Sequence, residues 1–251
     1  MKGFIINKSI EQVNGIQYEV NDLNLDEYGL AIVATNPTVS NGEFRRARAM
    51  LPFEYLDKKT RDFNWSLYSK DVEQQKRLAN AFLVNFQKFK ETGKGLYIYS
   101  KKKGSGKTLL ACCLANGLAD REPISVKFIS APDFVELSKR SGNNDDLESI
   151  YNAGVLVLDD IGSETMKDWI NTFFFRLIDH RYKNKLITIY TSNKPFDDLD
   201  LDERSIDRIY STSIPLYLPE EAIRAKLASQ DNQKFLSELL SCNQKDMDNE
   251  K

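Results

Sequence analysis

The stretch that most restricts the fold is residues 95–110, GLYIYSKKKGSGKTLL. An apolar run, Leu96 to Tyr99, passes through a lysine- and glycine-rich loop straight into a helix opening at Lys107. A loop between a buried strand and the first turn of a helix gathers backbone N–H groups and the positive end of the helix dipole at one spot, which favours phosphate. The full phosphate-loop pattern is G-x-x-x-x-G-K-[ST]. Gly104, Ser105, Gly106, Lys107 and Thr108 fit its end, but Lys101 replaces the leading glycine, and Lys102 and Lys103 follow it. A side chain at that outer position costs on the order of 1 kcal/mol if the backbone there needs φ > 0. The plain alternative is a surface lysine run that ends in a chance GKT; the strand and helix on either side argue against it.

Around this loop, strand-like and helix-like segments alternate. GLYIYS, SVKFIS, GVLVLDD, KLITIYTSN and SIPLYLP read as strands, and helical patterns fall between them. The strand runs lack polar alternation, as expected where helices cover both faces. The order predicts a mostly parallel, five-stranded, doubly wound α/β sheet. Before it, SKDVEQQKRLANAFLVNFQKFKETGKG spaces Leu78, Phe82, Leu83, Phe86 and Phe89 three to four apart, predicting one amphipathic helix ending near Gly93. Ser130, Pro132 and Asp133 predict a capped helix start. Residues 1 to about 50 hold short strand-like pieces such as GIQYEV and YGLAIVAT. The end of the chain predicts a short helix and a frayed polar tail. The expected division is an N-terminal region over 1–55, a core over 56–228 and a tail over 229–251.

A nucleotide loop needs a carboxylate for its metal ion on a neighbouring strand, and VLVLDD provides Asp159 and Asp160. Asp159 would hold Mg²⁺ together with Thr108, and Asp160 either orients an attacking water or merely caps the loop. Lys107 would meet the β- and γ-phosphates of ATP, with Gly104, Ser105, Gly106 and Leu109 completing the cradle. ITIYTSN ends on Thr191, Ser192 and Asn193, and Asn193 is placed to position the water. ERSIDRIYS sets Arg204 and Arg208 four apart on one helix face. One of them reaches a neighbouring subunit's γ-phosphate as an arginine finger, or the pair is a surface salt bridge with Glu203 or Asp207. Arg224 follows the last strand and would sense nucleotide in its own chain. These features fit an ATPase of the AAA+ kind.

With 35 basic and 37 acidic residues, affinity for nucleic acid must come from local patches rather than from the whole-molecule field. Residues 88–107 carry seven lysines against Glu91, and Arg45, Arg46 and Arg48 form another cluster that either tracks phosphates or is a solvated face. Lys139 and Arg140 end the helix after the second core strand and are a further candidate DNA contact. Trp169 and Phe173 to Phe175 read as core rather than as a stacking platform, His180 as a residue that either packs or is solvated, and Cys112 and Cys113 as small buried residues. With three cysteines, no long apolar span and no metal-ligand spacing, a reduced, cytoplasmic chain is expected, with no membrane partner.

Across roughly residues 50 to 228 the chain resembles the DnaC/DnaI-type replicative helicase loaders and the related IstB-type transposition helper ATPases. The resemblance rests on LPFEYLDKKTRDFNW, GSGKTLLACCLAN, VLVLDDIGSE, FFFRLIDHRYKNKLITIYTSN and ERSIDRIYSTSIPLYLPEEAIR. It implies an AAA+ fold with a reduced C-terminal lid, ATP and Mg²⁺, slow hydrolysis stimulated by DNA or a partner, self-association through the arginine finger, single-stranded DNA binding, and delivery of a hexameric helicase in a bacterium or its phage. A transposition helper and a nucleotide-gated scaffold with little hydrolysis are the alternatives. No cysteine precedes Cys112, so the zinc module of some loaders is not expected.

Overall fold

In a computed structural model, residues 4–13, 16–24, 30–34, 41–140, 145–162 and 168–248 are described. The first three strands, β1 (Phe4–Val13), β2 (Ile16–Asn24) and β3 (Leu30–Ala34), form an antiparallel sheet in chain order. Tyr18 and Val20 of β2 are two residues apart, so both face inward. Tyr18 meets Phe44 of α1 (Asn41–Ala47) with ring centroids 4.8 Å apart. Irregular chain with short 3₁₀ turns then leads to α2 (Glu73–Val84) and α3 (Phe86–Thr92).

The sequence predicts one helix here, and the chain forms two. Asn85 breaks it: its side-chain amide donates to the Ala81 carbonyl at 3.2 Å, competing with the backbone ladder. Phe82 still packs edge-on against Phe86 and Phe89, so the apolar face survives the break. The predicted stop holds: Gly93 is left-handed, with its N–H on the last carbonyls of α3.

The core then runs β4 (Gly95–Tyr99), α4 (Lys107–Arg121), β5 (Val126–Ser130), α5 (Ala131–Lys139), α6 (Asp145–Asn152), β6 (Val155–Asp159), α7 (Asp168–Lys183), β7 (Ile187–Ser192), α8 (Glu203–Thr212), β8 (Ser213–Tyr217) and α9 (Ile223–Asp248). Ser130 caps α5 as predicted, accepting from the Asp133 N–H. The five core strands lie in the order β5-β6-β7-β4-β8, every pairing parallel. Both faces are covered, which explains the unbroken apolar runs. Leu96, Ile98, Val155, Val157 and Ile189 face α2, α3 and α4, whereas Tyr97, Leu156, Leu158 and Tyr190 face α5, α7 and α8.

Three further helices differ from the sequence reading. α1 falls where only strand-like pieces are expected. α6 is not anticipated; it is short, with its acids gathered in the first turn. α9 runs unbroken for 26 residues rather than as a short helix and tail, because no glycine or proline follows Pro219. Among the described residues no helix is long and apolar enough to cross a membrane.

Arg181 of α7 is wholly buried. It donates to the carbonyls of Ile150, Tyr151, Ala153 and Ile187 and to Thr188 Oγ1. It thereby satisfies the carbonyls at the end of α6 and ties them to β7, the strand that carries Asn193 at its tip.

Candidate functional site

β4 is flanked by β7 and β8, so its C-terminal end opens at the point where successive connections leave in opposite directions. Parallel sheets bind ligands in such crevices. The loop there holds Gly104 at φ 72° and Gly106 at φ 94°, the left-handed region that favours glycine. Lys101 is not among the positive-φ residues, so the missing glycine causes no backbone strain. Its ammonium is exposed and lies 3.8 Å from Asp198.

Lys107 is 7% exposed and, among the described residues, has no direct carboxylate partner. Its Nζ donates to Asn193 Oδ1 at 2.8 Å and, at 3.2–3.4 Å, to Lys102 O, Ser100 O and Ser105 Oγ. Burial pushes its pKa down, while Asp160 and Asp159 pull it back. A buried cation resting on neutral acceptors at the mouth of a helix is suited to an anion. Leu109, in the first turn of α4, is half-buried, with its side chain packed against the core.

The two acids sit opposite. Thr191 holds both: its hydroxyl accepts the Asp160 N–H at 2.8 Å and donates to Asp159 Oδ1 at 2.6 Å. Thr108 also bonds Asp159, whose carboxyl is pushed up by burial against these two hydrogen bonds. Asp160 has φ 58°, a costly conformation for a residue with a side chain. The Thr191 clamp and the Asn193 Nδ2 donor, 2.6 Å from Asp160 Oδ1, hold it there. Asn193 therefore touches both Lys107 and Asp160. Lysine can only donate and carboxylate only accept, which fixes the amide's orientation.

Arg224 lies on the other side of the loop. Its N–H donates to Gly104 O at 2.9 Å, and a Cβ on Gly104 would come within 3.3 Å of Arg224 Cβ. The Tyr55 hydroxyl is bonded by Glu54 and Arg224, and burial followed by Glu54 pushes its pKa to about 12. Gly104, Ser105, Gly106, Lys107, Thr108, Asp159, Asp160, Asn193 and Arg224 are thus gathered at one place.

Arg204 and Arg208 are not. Among the described residues, their contacts go to Asp202, to α7 and, through Arg208 Nη1 on Arg204 O, to each other. Arg208 pairs with Asp179 at 2.8 Å, and its side chain is 21% exposed. Arg204 stacks over Phe175 at 4.1 Å with its side chain 69% exposed, near Asp202. The surface-bridge alternative named Glu203 or Asp207; the acids found are Asp202 and Asp179 instead.

The arginines read as a DNA patch are otherwise engaged. Arg45 is buried with Nε on Ala119 O at 2.7 Å, Arg46 pairs with Asp120, and Arg48 pairs with Glu11 at 3.4 Å. They join the N-terminal elements to the end of α4, so the solvated-face reading fails as well. Arg140 pairs with Glu136 at 3.3 Å, and Lys139 lies 4.7 Å from the centre of the Trp169 ring. Trp169, expected in the core, is 40% exposed, while Phe174 is fully buried. His180 packs edge-on to Tyr151 and bonds Asn152 Oδ1, and Cys112 and Cys113 are buried, as expected. Ser163 and Glu164, at the end of VLVLDDIGSE, lie outside the described residues.

Sequence reasoning passed over Tyr68 and Glu221. Their contacts, to Ser105 and to Ser69, join segments far apart in the chain, which periodicity cannot reveal.

The donor set suits a nucleotide with Mg²⁺. Among the described residues no cluster of three or more His, Cys, Asp or Glu offers a complete metal cage. Mg²⁺ asks for little more than a carboxylate and a hydroxyl beside the substrate's own phosphates, and Asp159 and Thr108 stand together.

Strand order, phosphate loop, paired acids and tip asparagine define a P-loop nucleotide-binding core of the AAA+ type. A model of the IstB-like ATP binding protein family matches residues 43–214, and the chain belongs to that family. The replicative helicase loader DnaI of Bacillus subtilis is 37% identical over 138 residues, covering 51% of this chain and 44% of that protein. The replicative helicase loader DnaC of Escherichia coli K12 is 30% identical over 121 residues, 45% of this chain and 49% of that one. The chain therefore spans about half the length of the curated relatives it matches. A crystal structure of the DnaC helicase loader is similar with TM-score 0.57 and 28% identity, over 66% of this chain and 99% of that one.

Proposed function

We propose that this chain is an ATP-dependent loader that places a hexameric replicative helicase on single-stranded DNA in the bacterial or phage-infected cytoplasm. The observation that carries the reading is the contact of Asn193 with both Lys107 and Asp160. It links the phosphate-binding cation to the acid at the hydrolytic position. Lys107 would bind the β- and γ-phosphates and the loop N–H groups the rest of the chain of phosphates. Asp159 and Thr108 would hold Mg²⁺, which neutralises charge on those phosphates. Asp160 and Asn193 would orient the attacking water. Arg224 would sense nucleotide from within the same chain. Arg204, its side chain 69% exposed, is the better candidate for a finger reaching a second copy; Arg208 is already committed to Asp179.

The relatives favour a helicase over a transposase as partner, because DnaI and DnaC are both named replicative helicase loaders. Residues 1–55 are proposed as the partner-binding region, 56–228 as the motor and 229–251 as an appendage. A direct test uses closed circular single-stranded DNA with an annealed strand and a ring helicase that loads poorly alone. Strand release should rise with this protein and ATP, and Lys107→Ala should not support it. Release that is indifferent to the protein, with a transposase captured instead, sinks the reading.

A further inference from the structure

Two consecutive carbonyls of the phosphate loop are held from two sides. Gly104 O accepts from the Arg224 N–H at 2.9 Å, and Ser105 O from the Tyr68 hydroxyl at 2.5 Å. The two donors are themselves tied together. The Glu221 carboxylate, just before α9, accepts from the Ser69 N–H at 2.9 Å, from Ser69 Oγ at 2.8 Å and from Lys226 Nζ at 2.6 Å. Lys226 also donates to Leu67 O at 3.2 Å. The contacts close a ring that runs from the loop to Arg224, Glu221, Ser69, Tyr68 and back to the loop.

This is more than a surface ion pair. The Glu221 side chain is 13% exposed against 46% for Lys226, and three donors converge on it. Lys226 and Ser69 hold its carboxyl down to about 2, so it stays charged at any physiological pH. Packing reinforces the ring: a Cβ on Gly106 would come within 3.0 Å of Tyr68 Oη and 3.3 Å of Phe63 Cε2.

We propose that Glu221 is a positioning residue for nucleotide, clasping residues 67–69 to the start of α9 so that Tyr68 and Arg224 set the phosphate loop before nucleotide arrives. The inference rests on the nucleotide reading above but assigns the work to residues outside the phosphate contacts. A glycine-rich loop loses much conformational freedom on ordering. A loop already held by its carbonyls meets that loss in folding, so less is subtracted from binding. Glu221 touches no reacting atom, and its effect should fall on affinity rather than on the chemical step.

The test uses the full chain with Glu221→Gln, Tyr68→Phe and Ser69→Ala, the last being the mildest should either of the others fail to fold. Hydrogen exchange over residues 100–108 without nucleotide reads loop order; titration with Mg-ATP reads affinity. Each variant should exchange faster there and bind ATP roughly three- to tenfold more weakly, a hydrogen bond's worth. KM should rise more than kcat falls. The Glu221→Gln/Tyr68→Phe double variant should lose less than the product of the single effects, since one ring is broken twice. A purely structural role would lower Tm and leave exchange and affinity in place. That result, with wild type binding ATP, overturns the inference alone. Wild-type protein that binds no ATP overturns the nucleotide reading and the inference together.

Discussion

Asn193 donates its side-chain amide to Asp160 at 2.6 Å while its carbonyl oxygen receives the Lys107 ammonium at 2.8 Å. One short side chain at the end of β7 therefore connects the buried lysine to the second acid of the site. It also helps hold Asp160 in a left-handed backbone that an aspartate adopts at a cost.

Removing that connection should separate binding from turnover. Asn193→Ala and Asp160→Asn should each keep ATP affinity within about tenfold and reduce turnover about 100-fold or more, as loss of a positioned acid or base does. Steady-state kinetics beside equilibrium titration decides it. Unchanged turnover in Asp160→Asn removes Asp160 from the mechanism and returns it to a loop cap.

Lys101 should matter little. It stands at the missing-glycine position without positive φ, and among the described residues its ammonium reaches only the exposed Asp198. Lys101→Gly should keep ATP affinity within roughly tenfold, about 1.4 kcal/mol. Lys107→Ala should abolish measurable binding. A large gain in affinity for Lys101→Gly would mean that the lysine does distort the loop.

The arginine pair should divide its labour. Arg208→Ala leaves Asp179 without one of its partners and should lower stability by about 1 kcal/mol. Arg204→Ala should leave stability unchanged and slow a turnover that rises with protein concentration. Mixing it with Lys107→Ala subunits, which keep Arg204, should restore part of the rate. Turnover independent of concentration in every variant contradicts a finger in trans.

Arg181→Met should cost about 3 kcal/mol or more in unfolding experiments. Its loss leaves the buried carbonyls at the end of α6 without donors. A mild effect would mean that water replaces the guanidinium.

Asp159 predicts opposite pH trends for binding and for stability. Burial raises its carboxyl above the ordinary 3.8. The folded chain then holds that proton more tightly than the unfolded chain does. The resulting stabilisation is full below the unfolded value and lost as pH rises through the folded one. Mg-ATP needs the ionised form, so affinity should fall as pH drops through the same raised value. Asp159→Asn should flatten both curves; parallel curves for wild type would contradict the assignment.

Much of this was legible in the sequence because the site is built from contiguous motifs. Strand, loop and helix around Lys107, the acids ending β6 and the asparagine ending β7 each declare themselves locally, and apolar runs without alternation announce a covered sheet. What the sequence hides is long-range pairing. Arg45, Arg46 and Arg48 look like a nucleic-acid patch until the end of α4 and Glu11 are seen beside them. The break at Asn85 is local, but the apolar spacing continues through it. Glu221 and Ser69 meet across 152 residues of chain. Trp169 reads as core by spacing, yet its helix turns that edge outward.

As proposed, the loader should engage single-stranded DNA under the control of nucleotide at Lys107. Affinity for a single-stranded oligonucleotide, with and without Mg-ATP, across a salt series, tests it for wild type and Lys107→Ala. The account predicts that ATP tightens wild-type binding, that rising salt weakens it steeply because phosphate contacts carry it, and that Lys107→Ala binds DNA equally with and without ATP. Wild-type affinity that ignores ATP, or that favours duplex over single strands, would contradict it.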